Sequence, residues 1–155
     1  MQGSQSSVFT FIKEYAARHK RPDPATLSVL IVDDEEGVRK LVDRVLREAG
    51  FKTAVASDGP EAIEVAQGLG TFDILVTDLM MPQMTGDELA RRLRQVEPSL
   101  KVLYLTGFSD RLFQEKVTLW EDEAFLEKPC SVQGLLQAVS LLLFGSLEAT
   151  PERAH

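Results

Sequence analysis

Five polar side chains stand at positions where predicted strands end, and their types suit chemistry on a phosphoryl group. They are Asp33, Asp34, Asp78, Thr106 and Lys128. The carboxyl ends of parallel strands share one edge of a sheet, and ligands bind there. Any one of these residues alone is well explained as a helix cap or a solvated surface group. Their occurrence after four different predicted strands indicates one common site.

The three carboxylates of this set require a cation. Two carboxylates about 4 Å apart repel each other by roughly 4 kcal/mol at an effective dielectric constant near 20. A few oxygen ligands that leave room for water and a phosphate oxygen suit Mg²⁺ better than zinc. The chain has two histidines, His19 and His155, and they form no cluster with its one cysteine. We therefore predict that Asp33, Asp34 and Asp78 bind Mg²⁺.

The remaining groups of the set match the requirements of phosphoryl transfer. Lys128 offers a positive charge for a phosphoryl oxygen, and the Thr106 hydroxyl offers a hydrogen bond. Phosphoryl transfer needs positioning, charge neutralisation and an in-line nucleophile. Asp78, at the end of the third predicted strand, is the candidate nucleophile and would form an aspartyl phosphate. The predicted catalytic residues are therefore Asp78, Lys128 and Thr106.

Short apolar runs that alternate with helical patterns predict the scaffold of this site. The predicted strands are Ser28–Val32, Thr53–Ala56, Phe72–Thr77, Val102–Leu105 and Ala124–Leu126. A helix is predicted after each strand, with start or stop signals at Gly50, Asp58, Thr85 with Glu88, Ser109 and Ser131. Strict alternation of five strands and five helices predicts an α/β fold, a doubly wound five-stranded parallel sheet with helices on both faces.

Composition restricts the class of protein. The 155 residues carry 24 acidic and 17 basic side chains, a net charge of -7, which disfavours a polyanion such as DNA as a partner. No apolar run reaches the roughly 18–20 residues needed to cross a bilayer, and the polar start has no basic signal region. A single cysteine suits a reducing compartment. We therefore expect a soluble cytoplasmic domain without direct nucleic acid binding or membrane insertion.

Two prolines, Pro22 and Pro24, mark the predicted domain boundary. Residues 1–26 are predicted to be an extension or linker, in which Val8, Phe11 and Ile12 recur at the spacing of a short amphipathic helix. Residues 27–145 form the predicted domain, and residues 146–155 form a C-terminal tail. Because this tail is too short for an output domain, we expect no helix-turn-helix module or catalytic effector in the chain.

Four motifs, in their order and spacing, resemble those of the receiver domain of two-component response regulators. They are Asp33-Asp34; Thr77-Asp78-Leu79-Met80-Met81-Pro82 with Gly86; Thr106-Gly107; and Glu127-Lys128-Pro129. The resemblance implies a flavodoxin-like (βα)5 fold with the strand order 2-1-3-4-5. Residues 106–110 and the lead-in before the domain resemble the carboxyl-terminal receiver of hybrid sensor kinases. A stand-alone receiver is the alternative architecture.

The resemblance implies a signalling phosphoacceptor rather than an enzyme, with only autocatalytic phosphoryl transfer and slow self-dephosphorylation. Asp78 would take the phosphoryl group from a histidine kinase or a histidine phosphotransfer protein. Asp34, Asp78 and the backbone carbonyl of Met80 would ligate Mg²⁺, and Asp33 would contribute directly or through water. Lys128 would pair with the phosphoryl group.

The resemblance also implies a conformational switch. Thr106 would swing towards the phosphoryl group, and Phe125 would follow as the aromatic switch residue. An ordinary core aromatic is the other interpretation of Phe125. The surface of the fourth helix, the fifth strand and the fifth helix would change shape. The resemblance further implies a cis peptide bond before Pro129. As a separate expectation, the chain is a monomer or a weak dimer.

Three other functions fit the sequence less well. A haloacid-dehalogenase-type phosphatase needs a second acid two residues after its nucleophile, and Met80 stands at that position. Flavodoxin-like binding of a flavin cofactor is disfavoured, because the acidic run from Asp33 to Glu35 would repel the phosphate of the flavin. A receiver-like interaction scaffold that is never phosphorylated would normally lack one of the site residues. All of them are present, so the scaffold stays only as the alternative function.

Overall fold

A five-stranded parallel sheet forms the centre of the structure, a computed structural model that describes residues 23–107 and 122–145. The strands are β1 (Ser28–Val32), β2 (Lys52–Ala56), β3 (Ile74–Asp78), β4 (Lys101–Thr106) and β5 (Glu123–Glu127). Their order across the sheet is β2-β1-β3-β4-β5. The predicted α/β fold and the strand order implied by the resemblance are both confirmed.

Four α-helices accompany the sheet within the described residues. They are α1 (Glu36–Glu48), α2 (Gly59–Leu69), α3 (Gly86–Arg94) and α4 (Val132–Phe144), and a 3-10 turn (Pro24–Thr26) precedes β1. Helix α4 corresponds to the fifth helix of the sequence prediction. The predicted fourth helix after Ser109, the predicted N-terminal helix and the tail lie outside the described residues. Within residues 23–107 and 122–145, no helix combines the length and the apolar character needed to span a membrane.

The helices cover both faces of the sheet and create two apolar layers. On one face, α1 and α4 pack through residues such as Leu46 and Leu135 against Ile31 of β1. On the other face, α2 and α3 pack against Leu30 and Leu75. All five residues of β3 are buried, because this strand lies in the middle of the sheet with helices on both sides. This position explains why residues 74–76 are apolar without alternation.

Local capping signals define the ends of several helices. The side chains of Asp58 and Ser131 accept hydrogen bonds from backbone N–H groups three residues later, as predicted. The capping box predicted from Thr85 and Glu88 is wrong, since the Thr85 side chain makes no capping hydrogen bond. Glu88 instead pairs with Arg92 one turn later, at 3.2 Å, and so does not reach back to the helix start.

Candidate functional site

The acidic residues meet because they follow two neighbouring strands. Asp33 comes directly after β1, Asp78 ends β3, and these strands are adjacent in the sheet. One carboxylate oxygen from each of Asp33, Asp34 and Asp78 lies within 4.8 Å of the others. Asp33 and Asp78 are buried, whereas Asp34 is exposed. The structure therefore brings together the three carboxylates predicted from the sequence.

Lys128 adds a positive charge from the end of β5. Its Nζ atom lies 3.3 Å from Oδ2 of Asp33 and 3.4 Å from Oδ1 of Asp78. Its backbone N–H donates to the carbonyl oxygen of Thr106 at 2.8 Å, which fixes the end of β5 against the end of β4. The Lys128–Pro129 peptide bond is cis, as the resemblance implies.

The other predicted site residues lie around this cluster. Thr106 ends β4 and is buried, and it lies one position beyond Leu105, the register partner of Asp78. Met80, two residues after Asp78, is half-exposed. Phe125 lies within β5, on the neighbouring strand to Thr106. The roles of Met80 as a metal ligand and of Phe125 as a switch stay predictions.

The pKa values at the site reflect burial against crowded negative charge. Burial and the negative charge of Asp33 raise the pKa of Asp78 to about 7. Burial also raises the pKa of Asp33, against the hydrogen bond from the Glu35 backbone and the charge of Lys128. For Lys128, burial lowers the pKa, but the charges of Asp33 and Asp78 outweigh it, and the net direction is upward. Lys128 therefore stays a cation, while ionisation of the buried carboxyl groups is opposed.

The site has a deficit of positive charge that a metal ion would correct. Oδ1 of Asp33 accepts a hydrogen bond from the Glu35 N–H at 2.9 Å. The buried Oδ2 of Asp33 accepts no hydrogen bond of favourable geometry, although Nζ of Lys128 lies 3.3 Å away. A buried carboxylate oxygen without a hydrogen bond is costly, and oxygen-only ligands suit a hard cation. The residues present therefore fit a metal ion held by Asp33, Asp34 and Asp78.

Two residues of the site were missed by the sequence reasoning. Oε1 of Glu35 lies 3.2 Å from Nζ of Lys128, although the two residues are 93 positions apart. Nη1 of Arg39 donates to the backbone carbonyl of Asp33 at 2.8 Å and so steadies the loop after β1. A basic residue early in the helix after an acidic loop is the only sequence signal for Arg39, and Glu35 is marked only by its place in the acidic run that starts at Asp33.

Gly86 allows the chain after β3 to pass close to Asp78. Its N–H donates to the carbonyl of Leu79 at 2.8 Å, and a Cβ atom here would overlap the backbone carbonyl oxygen of Asp78. We expect Gly86→Ala to lower the free energy of unfolding, measured in urea, by about 2 kcal/mol. Gly37→Ala is the matched control, because a Cβ there meets nothing within 4 Å and α1 favours alanine. Equal losses in both variants would contradict the close approach at Gly86.

The metal-free protein is expected to lose stability as the pH rises from about 5.5 to about 8. The pKa of Asp78 is about 7 in the fold and 3.8 ordinarily, so the folded state holds a proton that the unfolded chain has released. The stabilisation from this proton is lost as the pH passes through 7. The loss over this interval is about 2 kcal/mol. Urea unfolding at a series of pH values in the presence of a chelator measures it.

A variant and a metal titration separate this effect from other causes. Asp78→Asn lacks this titrating group, so its stability should fall clearly less than that of the wild type over the same interval. Addition of Mg²⁺ at about pH 8 should restore stability to the wild type, because a ligand that binds only the folded state stabilises it. A wild-type stability that rises with pH over this interval would contradict the proton linkage.

Known proteins resemble this chain in sequence and in structure. The family model described as response regulator receiver domain matches residues 29–140. The sensor kinase CckA of Brucella abortus is 34% identical over 134 residues, which cover 83% of this chain and 14% of CckA. The response regulator receiver protein CpdR of the same organism is 30% identical over 118 residues, which cover 76% of this chain and 98% of CpdR.

A solved receiver domain has the same fold. The crystal structure of the receiver domain of the hybrid histidine kinase CckA matches with a TM-score of 0.62 at 30% identity, over 75% of this chain and 98% of that chain. The matched part of the chain thus corresponds to a small part of the sensor kinase CckA and to nearly all of CpdR.

Proposed function

This chain belongs to the family of response regulator receiver domains, and we propose that it accepts a phosphoryl group on Asp78 in a reaction that depends on Mg²⁺. The donor would be the phosphohistidine of a histidine kinase or of a histidine phosphotransfer protein. One observation carries the proposal: Asp78 ends the central strand next to two further carboxylates, with the Lys128 ammonium 3.4 Å from its Oδ1 atom.

The proposed transfer follows from the groups at this edge of the sheet. A carboxylate oxygen of Asp78 attacks the phosphorus atom, the P–N bond to the donor imidazole breaks, and the imidazole takes the electron pair. Lys128 neutralises charge on a phosphoryl oxygen, and Thr106 donates a hydrogen bond to it. Asp33, Asp34, Asp78 and the Met80 carbonyl would hold Mg²⁺. The ion supplies additional positive charge for the phosphoryl oxygens.

The product would act as a signal rather than as a turnover intermediate. An added phosphoryl group carries nearly two negative charges and strong acceptor oxygens. Thr106 would move to donate to it, and Phe125 on the adjacent strand would respond. We infer that a surface of β5 and α4 presents this change to a partner, together with the predicted fourth helix, which lies outside the described residues. The match covers 14% of the sensor kinase CckA and 98% of the receiver protein CpdR, so the donor histidine is either on the same, longer polypeptide or on a separate protein.

Intact mass spectrometry after incubation with acetyl phosphate and Mg²⁺ tests the proposal. We expect one phosphoryl adduct that is absent in the presence of EDTA. Reduction of the acyl phosphate with borohydride followed by peptide mapping should place it on Asp78. An adduct on another residue would overturn the assignment. No adduct under any of these conditions would favour the interaction scaffold.

A further inference from the structure

A largely buried polar cluster joins α3, β4 and β5 away from the acidic site. The Tyr104 hydroxyl donates to Oε2 of Glu123 at 3.1 Å, and Nη1 of Arg94 donates to the same oxygen at 2.6 Å. The side chains of Arg94 and Glu123 are only 12% and 9% exposed. Nε of Arg94 also donates to the carbonyl of Leu100 at 3.0 Å. We call Arg94, Glu123 and Tyr104 the clamp cluster.

The clamp cluster fixes the position of an aromatic ring that contacts Phe125. Tyr104 and Phe125 are register partners on β4 and β5. Their rings stack with centroids 4.9 Å apart and an interplanar angle of 22°. Because the hydroxyl of Tyr104 is hydrogen-bonded to Glu123, the Tyr104 ring cannot shift without breaking a partly buried hydrogen bond. Phe125 therefore stacks on a ring that is itself held in place.

The chemistry of the cluster favours a positioning role over simple packing. Burial and the negative charge of Glu123 raise the pKa of Tyr104, so its hydroxyl stays protonated and keeps donating. A buried ion pair is rarely the most stabilising choice for a core, but it restricts the orientations of the groups around it. Hydrophobic side chains of similar volume in place of Arg94 and Glu123 would also cover the rings, but they would not fix the angle of the Tyr104 ring.

We propose that Tyr104 is a positioning residue that holds Phe125 in its present orientation, so that a turn of Phe125 towards Thr106 must first break the Tyr104–Phe125 stack. Thr106 is the next residue on the same face of β4, and its register partner is Glu127 rather than Phe125. The part of this inference that concerns signalling rests on the proposed function. The clamp cluster then determines how much of the free energy of phosphoryl binding is needed to turn the switch.

Reciprocal linkage gives a measurable consequence. If the stack opposes the switched state, weakening it lowers the free energy needed to reach that state and tightens binding of a phosphoryl group at Asp78. Beryllofluoride with Mg²⁺ is a suitable probe, because it binds a carboxylate reversibly as a tetrahedral analogue of the phosphoryl group. The interaction free energy of one aromatic pair corresponds to a change of about two- to tenfold in the binding constant of beryllofluoride.

The experiment compares three variants by beryllofluoride titration and by NMR of the Phe125 ring, assigned with Phe125→Leu. Tyr104→Leu removes the stack, Tyr104→Phe keeps the ring but loses the hydroxyl, and Phe51→Leu removes a buried ring from the opposite apolar layer. We expect Tyr104→Leu to bind beryllofluoride about fivefold more tightly. Tyr104→Phe should show a smaller gain, and Phe51→Leu should show none.

The two readouts distinguish failure of this inference from failure of the proposed function. In the unliganded protein, the Phe125 ring signals should move in Tyr104→Leu and, less, in Tyr104→Phe, but not in Phe51→Leu. Unmoved signals, or beryllofluoride binding that is unchanged or weaker in both Tyr104 variants, would overturn the positioning role. If the wild type binds no beryllofluoride and takes no phosphoryl group, the proposed function fails. The ring signals of Tyr104→Phe, which keeps the aromatic ring beside Phe125, still decide whether the bonded Tyr104 holds Phe125.

Discussion

Asp78→Asn is expected to abolish the phosphoryl adduct that acetyl phosphate and Mg²⁺ leave on the wild-type protein. The amide nitrogen and oxygen of asparagine cannot form the acyl phosphate, and the neutral side chain is a poorer metal ligand. The shape of the site changes little, because the two side chains have nearly equal size. Intact mass measured over a time course gives the adduct fraction for both proteins.

Asp58→Asn is the matched control for this loss. Asp58 caps α2 by accepting the Glu61 N–H at 2.9 Å, and asparagine is an equally good capping residue. We expect this variant to gain the adduct at the wild-type rate. An adduct that persists in Asp78→Asn would show that another residue is the acceptor. A loss in both variants would point to an indirect effect of removing any carboxylate.

Lys128→Met is expected to slow phosphoryl transfer from acetyl phosphate by about 100-fold. The ammonium lies within 3.4 Å of two buried carboxylates, and no other cation is recorded within ion-pair distance of Asp78 among the described residues. Methionine keeps much of the length of the side chain but removes the charge that would stabilise the phosphoryl oxygens. The initial rate of adduct formation at saturating Mg²⁺ measures this effect.

Magnesium binding separates this role from a general loss of the site. Without the ammonium, three carboxylates attract Mg²⁺ more strongly, so Lys128→Met should bind the ion at least as tightly as the wild type. Lys101→Met is the control, because Lys101 pairs with Asp122 at 3.0 Å at the opposite end of β4. A transfer rate in Lys128→Met within a few-fold of the control would rule out the proposed role of the ammonium.

Much of the scaffold could be predicted from local patterns. The run from Ser28 to Val32 has the same bounds in the prediction and in the structure, and the other strands differ by one or two residues at their ends. Such patterns are informative because burial on both faces demands apolar side chains at every position of a central strand. Caps such as Asp58 are equally local, since donor and acceptor lie within one turn. Thr85 shows the limit, because its side chain caps nothing and Glu88 pairs with Arg92 instead.

The sequence by itself therefore determined the fold class and the residues that gather at one edge of the sheet, since both depend on periodicity and on the position of each residue after its strand. Only the tertiary structure decided which side chains touch. It paired Glu35 with Lys128, placed the Arg39 guanidinium within hydrogen-bond distance of the Asp33 carbonyl, and stacked Tyr104 on Phe125. Such contacts depend on strand register and on side-chain rotamers, which are set by packing across the whole molecule and leave no periodic trace along the chain.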